Sequence, residues 1–404
     1  MSGASPVAVI GGGPAGLMAA EVLSAAGRAV TVYDRMPSMG RKLLMAGRGG
    51  LNLTHSEGFE PFLARYGAAA GRLRPLLEAF TPADLTAWAQ GLGQPTFVGS
   101  SGRVFPRALK ASPLLRAWLA RLAAQGVRLA TRHDWRGWNS AGDLVFETPR
   151  GDVTVSAQAT VLALGGASWP RLGSDGAWTG RLAARGVAIA PFRAANCGFT
   201  VGWSEVFRTR FAGAPLKAIT LSFAGRTVRG EAVVADYGLE GGAVYALSAA
   251  LRDAIEAAGP VRLLIDLRPD LAAGELAARL GRTPPGQSLA NRLRKAVGLT
   301  PVEISLLREA HGLGLPADPQ SLADLIKAAP LTLTGPQPLA RAISSAGGVE
   351  LASVAPDLSL LAAPDLFVAG EMLDWEAPTG GYLLQATLAT GVAAARGLLA
   401  CEAR

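Results

Sequence analysis

The sequence is poor in cysteine, histidine and lysine, and each shortage excludes something. Two cysteines in 404 residues, Cys197 and Cys401, form no C-x-x-C pair. That rules out a disulfide framework and points to a reducing, cytoplasmic setting. Three scattered histidines, His55, His133 and His311, do not make a zinc site, and no metal centre is expected. No uninterrupted apolar run approaches the about 18 residues of a membrane span, and the first apolar stretch is broken by glycines, so neither a span nor a signal peptide is expected. Only five of the 39 basic residues are lysine. The net charge of +8 and a pI near 10.0 would suit a polyanionic partner. The arginines are spread along the chain, however, and composition alone accounts for them as well. What is abundant is apolar: 50% of the residues are hydrophobic, as in a well-buried globular protein. The length suggests two or three domains.

The chain is organised around its first 35 residues. Val7 to Ile10 is an all-apolar run, as a strand buried on both faces should be. Gly11, Gly13 and Gly16 then form G-x-G-x-x-G and open a helix through Pro14 and Ala15; a second strand, Ala29 to Tyr33, ends in Asp34 and Arg35. The spacing is mechanical. Gly11 permits a tight turn, Gly13 permits close approach of a pyrophosphate, and Gly16 permits close packing of helix on strand. The helix N-terminus presents free N–H groups and partial positive charge to phosphates. Asp34 is placed to accept hydrogen bonds from a ribose. A strand, a helix, a second strand and an acid in this order are the context that turns a weak motif into a dinucleotide-binding one.

A glycine-punctuated segment follows, from Gly40-Arg41-Lys42 through Gly47-Arg48-Gly49-Gly50-Leu51-Asn52 to Thr54-His55. It is too apolar for a free surface loop and carries cations, so it reads as a loop packed over the phosphates of a cofactor. Helical patterning covers 60–92, with Thr81-Pro82 as a helix start; another helix runs from Ser112-Pro113 to about Ala124. Alternating stretches near 127–130, 133–138, 143–148 and 152–156 predict a small antiparallel meander. Ala159 to Leu164 is a further buried strand ending in Gly165-Gly166. Short strand-like runs at 197–201, 217–223, 226–229 and 231–235 predict a small β-barrel. Helical segments at 270–280, 288–297, 301–310 and 320–328 predict an all-helical insert. Leu366 to Glu371 is a last buried strand with Gly370 and an acid at its end. Gly380-Gly381-Tyr382-Leu383 then opens a long apolar helix. A second helix N-terminus of this kind suits the flavin end of FAD, where reduction adds negative charge, and NAD has no use for it. The expected fold is α/β: a Rossmann-like FAD/NAD(P)-binding domain over 1–190 and 346–404, a β-barrel domain over 191–258 and 330–345, and a helical insert over 259–329.

These motifs, with Gly102-Arg103-Val104-Phe105-Pro106 and Gly173-Ser174 added, resemble nearly end to end the BaiN/RdsA family of bacterial FAD-dependent oxidoreductases, the HI0933-like flavoproteins. The resemblance implies non-covalent FAD and the same interrupted architecture. It also implies chemistry such as bile-acid dehydroxylation or conversion of a ribosomal RNA uridine to dihydrouridine. Many members carry a cysteine just before the asparagine of the second motif; Leu51 stands there, which suggests a cysteine-less branch. Asn52, Thr54 and His55 are the nearest polar candidates for catalysis, and for His55 a packed structural histidine is the plainer reading.

The expected cofactor set is therefore Gly11, Gly13, Pro14, Ala15, Gly16, Asp34, Arg35, Arg41, Lys42, Gly47, Arg48, Gly49, Gly165, Gly166, Gly370, Glu371, Gly380, Gly381, Tyr382 and Leu383. Glu371 is expected at the ribityl hydroxyls, and Gly381 and Tyr382 at the flavin. There is no second complete glycine motif with its own acid, so NAD(P)H is expected only as a transient reductant. Three functions follow from these residues: reduction of an electron-poor C=C in ribosomal RNA, the same reduction in a small enone-like molecule, or a non-catalytic RNA-associated or redox-sensing flavoprotein.

Overall fold

In a computed structural model, residues 6–45, 49–282, 286–312 and 314–402 are described. The chain forms two compact units, residues 1–193 with 343–404 and residues 194–342.

The first unit is built on a six-stranded sheet ordered Ser359–Leu360, Ala363–Val368, Thr160–Leu162, Val7–Ile10, Val30–Asp34, Arg128–Thr131. Five of these strands run parallel and Ser359–Leu360 is an antiparallel edge. The central strands are buried along their whole length, which is why they read as continuous apolar runs. Helix Pro14–Ala25 packs on the last helix, Tyr382–Glu402, through small residues. A Cβ on Gly391 would lie 2.5 Å from Ala15 O; just past strand Ala363–Val368, one on Gly370 would lie 2.7 Å from Ala15 Cβ. The last helix is long and apolar enough to cross a membrane by length and composition, but twelve of its residues are buried in this unit.

Two small sheets flank the main one. Thr54–His55, Arg103–Pro106 and Thr96–Val98 form an antiparallel ribbon beside helix Pro82–Gly91. That helix starts at Thr81, whose hydroxyl and the Asp84 carboxylate cap each other's backbone. The meander has three strands, Asp134–Trp138, Leu144–Thr148 and Gly151–Val155. The stretch near 127–130 does not belong to it. Arg128–Thr131 returns after helix Ala111–Ala124 and joins the main sheet parallel to Val30–Asp34. A crossover helix before a strand favours that parallel return, and the half-apolar pattern looks the same in a sheet edge as in a meander.

The second unit is a closed antiparallel barrel ordered Phe199–Val201, Gly238–Glu240, Arg226–Ala235, Pro215–Phe223, Val261–Asp266, Ala329–Pro336. Two runs read separately at 226–229 and 231–235 are one strand through Gly230. There a Cβ would meet Ala243 Cβ at 3.3 Å, so the glycine admits helix Gly242–Ala258 against the barrel. Val261–Asp266 belongs to the barrel and not to the helical segment: Leu263 and Ile265 point into the core while the strand pairs on both edges. Helices Ala273–Gly281, Leu289–Val297, Pro301–His311 and Pro319–Lys327 lie between the last two barrel strands in sequence. Ser288, Thr300 and Asp318 cap the last three.

Candidate functional site

The three motif glycines have three different surroundings. Gly11 has φ +111°, and a Cβ there would lie 2.2 Å from Ala163 O; a Cβ on Gly16 would lie 1.9 Å from Gly11 O. These two are demanded by the turn and by helix–strand packing. Gly13 has ordinary extended geometry and no atom within 4 Å of a Cβ. The space over it, at the N-terminus led by Pro14, is open to a ligand. Asp34 braces this loop from behind: one carboxylate oxygen accepts from Gly12 N and the other from Met36 N, both at 2.7 Å. Burial pushes the Asp34 carboxyl above its ordinary value, against the pull of the two backbone donors. Each oxygen keeps a lone pair for a ribose hydroxyl. Arg35 turns away and pairs with Asp175.

The strand ends converge on a second cluster. Lys42 Nζ donates to Ser168 Oγ at 2.6 Å and to Glu371 Oε2 at 2.7 Å. The other Glu371 oxygen accepts from Ser345 N at 3.0 Å. A Cβ on Gly166 would lie 1.8 Å from Ser345 Oγ, so this glycine lets the strand end pass the serine. Gly165 has φ +71° against Ser174. Lys42, Ser168, Ser345 and Glu371 thus tie four separate chain segments together at the carboxyl edge of the sheet, the usual ligand edge of such folds. Ser168 and Ser345 were not among the sequence candidates. The signal for Ser345 was the buried run Ser344-Ser345-Ala346-Gly347-Gly348, too polar and small for an ordinary core strand.

The third cluster surrounds the start of the last helix. A Cβ on Gly381, φ +97°, would lie 2.4 Å from Thr54 Cα, so Gly381 is pressed against the ribbon backbone; Gly380, φ +142°, is crowded by the Tyr382 ring. Leu383 is half-buried in the first turn. Tyr382 O–H donates to Glu57 Oε1 at 2.5 Å, and Tyr66 O–H donates to Tyr382 O at 2.8 Å. Burial and the Glu57 carboxylate push the Tyr382 hydroxyl up, keeping it protonated. Burial would raise Glu57, but Arg65, which chelates it at 2.8 and 3.2 Å, and the Tyr382 hydroxyl outweigh that and hold it below its ordinary value. His55 uses both ring nitrogens: Nε2–H donates to Ser101 O at 2.9 Å and Nδ1 accepts from Glu57 N at 3.1 Å. Its ring also stacks on Tyr382. This is a histidine engaged in structure. A cavity of about 680 Å³ opens between the ribbon and helix Pro82–Gly91, lined by Thr54, Glu57, Thr86, Val98 and Val104 among others.

Buried polar atoms without a protein partner call for water, an ion or a ligand. Seven side-chain atoms among the described residues are of this kind, and three fall in one short segment: Arg41 Nε, Asn52 Oδ1 and Thr54 Oγ1. Gly49 is open above as Gly13 is. Gly47 and Arg48 lie outside the described residues.

Over residues 5–397 the sequence matches the HI0933-like protein Rossmann domain family. The chain belongs to that family. Two curated relatives are distant. A 3-dehydro-bile acid Δ4,6-reductase of Clostridium scindens is 26% identical over 96% of this chain and 98% of its own length. A ribosomal RNA dihydrouridine synthase of Haemophilus influenzae is 24% identical over 61% of this chain and 62% of its own. Among solved structures, a flavocytochrome c3 fumarate reductase superposes with TM-score 0.52 and 16% identity, covering 98% of this chain and 78% of that one. A 3-ketosteroid Δ1-dehydrogenase of Sterolibacterium denitrificans superposes with TM-score 0.55 and 12% identity, covering 99% and 100%. These likenesses establish the FAD-binding fold. As an HI0933-like protein the chain is placed among the FAD-dependent oxidoreductases. A cysteine-less branch has no support: Cys197 and Cys401 are both present, and Leu51 at the motif position is a core residue.

Proposed function

We propose that this HI0933-like protein is an FAD-dependent reductase of a C=C bond conjugated to a carbonyl, with a uridine base of ribosomal RNA as its substrate and NAD(P)H as a transient donor. The observation that carries the cofactor assignment is the pairing of an open cradle over Gly13 with three unpartnered buried polar atoms in the 41–54 segment. These fit a dinucleotide lying across the strand ends. The Pro14 helix N-terminus would take the pyrophosphate and the free Asp34 lone pairs the ribose. Lys42 and Glu371 would meet the linker hydroxyls, and Arg41, Asn52 and Thr54 the polar edge of the ring. Bound FAD, once reduced, supplies a hydride. The chain's part is to hold that ring, to exclude water and to orient the acceptor. Both His55 nitrogens are engaged by backbone groups, which argues against this side chain as the source of the proton that completes the reduction.

The RNA reading is supported by the +8 charge and by the activity named for the Haemophilus relative. A second reading, a small enone acceptor, is supported by the near-complete alignment with the bile-acid reductase. The test is anaerobic. The purified, FAD-loaded protein is reduced, and reoxidation is followed on adding uridine-containing RNA fragments or a 4-en-3-one steroid. Nucleoside mass spectrometry of ribosomal RNA from cells with and without the gene is run alongside. RNA-driven reoxidation and a lost dihydrouridine are expected. Reoxidation by the steroid with an unchanged RNA profile would establish the second reading, and no reoxidation by any conjugated C=C would end both.

A further inference from the structure

Arg103, Arg107 and Lys110 lie within eight residues of one another in sequence, and the structure sets them beside a stacked aromatic pair. From Leu85 to His133 there is no aspartate or glutamate, while seven arginines and lysines occur. This stretch contains two strands of the antiparallel ribbon and the turn that follows. The register Phe97↔Phe105 and His55↔Arg103 puts Phe97, Phe105 and Arg103 on one face. The opposite face, with Thr54, Val98 and Val104, lines the cavity beside helix Pro82–Gly91. On the first face the Phe97 and Phe105 rings stack at 5.7 Å, and Phe97 is 36% exposed. Arg107 and Lys110 are exposed in the turn that continues the strand, with Leu109 between them 43% exposed.

Six other arginines of this unit, Arg28, Arg35, Arg65, Arg74, Arg121 and Arg136, have carboxylate partners. Arg103, Arg107 and Lys110 have no ion pair or side-chain hydrogen bond among the described residues. The nearest acid in sequence on the neighbouring strand side, Glu57, is held by Arg65 and Tyr382. A stacked aromatic pair on a strand surface with unpaired cations beside it matches what single-stranded nucleic acid needs: π-faces for bases and charge for phosphates. An anionic membrane would instead favour an amphipathic helix with a broad apolar face.

We propose that the outer face of this ribbon, with Phe97 and Phe105 as a base-stacking platform and Arg103, Arg107 and Lys110 as phosphate contacts, docks single-stranded RNA. The surface rests on the RNA reading above. Its test is binding, read with oxidised protein and no acceptor, so the two can fail separately.

Fluorescence anisotropy of a labelled oligouridylate is measured with the FAD-loaded protein at stepped salt. The triple variant R103Q/R107Q/K110Q should bind at least about tenfold more weakly at low salt and lower the log–log salt slope by about 2, as expected for three lost contacts to a single strand. Phe97→Ala should weaken binding about five- to a hundred-fold with the slope unchanged. Unchanged flavin absorbance and melting temperature show that each variant folds. Affinity and slope equal to the parent in the triple variant would overturn the surface. So would phosphatidylglycerol vesicles binding through the same residues while RNA does not. RNA binding lost in these variants, together with no reoxidation by RNA, would keep the surface and remove the reductase reading.

Discussion

Two helix N-termini serve the candidate site, and their leading glycines do opposite jobs. At Gly13 a side chain would meet nothing within 4 Å, so the space ahead of the Pro14–Ala25 helix is open. At Gly381 a side chain would collide with Thr54 backbone at 2.4 Å, because the chain itself fills the space ahead of the Tyr382–Glu402 helix. On the proposed function the first glycine is a matter of ligand access; the second is one of folding. Similar motifs in sequence therefore report different constraints, and substitutions that separate stability from FAD content expose the difference.

Ordered by effect on the stability of the flavin-stripped protein, the largest belongs to Gly381→Ala. Backbone strain at φ +97° and the clash with Thr54 add, so a loss of about 3 kcal/mol or more is expected. Thermal melting checks this, and a melt like the parent's would erase the contrast between the two helix starts. Asp34→Ala comes next. It strips the acceptor from Gly12 N and Met36 N, costing about 1–3 kcal/mol, and FAD content after purification should fall. The pH dependence has a definite sign. The folded Asp34 carboxyl is raised, so its contribution is greatest at low pH and is lost as pH rises through the raised value; melts of Asp34→Ala across that window should lack this component.

Tyr382→Phe is expected to be milder, about 1 kcal/mol, for one lost bond to Glu57. Glu57 is lowered in the folded protein, so its stabilisation is present above the ordinary carboxylate value and disappears as pH falls through the folded one. Without the tyrosine hydroxyl the folded value moves back toward the ordinary one, so that loss should be smaller and complete at higher pH, which acid titration of the fold would show. The smallest stability change belongs to Gly13→Ala, within about 0.5 kcal/mol, because the methyl meets no protein atom. FAD content should nevertheless drop sharply. Full FAD content in a normally folded Gly13→Ala protein would remove the ligand from the first helix start.

Much of the framework was legible because it rests on local rules. Continuous apolar runs marked the parallel strands, the glycine spacing marked the first helix start, and Thr81-Pro82 marked a capped helix. Arg128–Thr131 was misread because a half-apolar four-residue strand has no periodicity that tells a sheet edge from a meander. A strand at Val261 to Ile265 is legible in the sequence as an interruption of the helical segments, but its place in the barrel is set by two partners distant in sequence.

The sequence by itself determined which residue types stand at the strand ends: glycines, an acid after the second strand, and a lysine and a glutamate that could pair. Local backbone geometry and hydrophobic periodicity are encoded within a few residues, so they can be read without the fold. Tertiary structure alone decided what each of them faces. It turned Arg35 toward Asp175 and paired Lys42 directly with Glu371, with Ser168 on the lysine and Ser345 on the carboxylate. It engaged both nitrogens of His55 and left Arg41, Asn52 and Thr54 with buried polar atoms and no protein partner. Hydrogen-bond satisfaction and open space depend on groups brought together from hundreds of residues apart, and no local pattern records them.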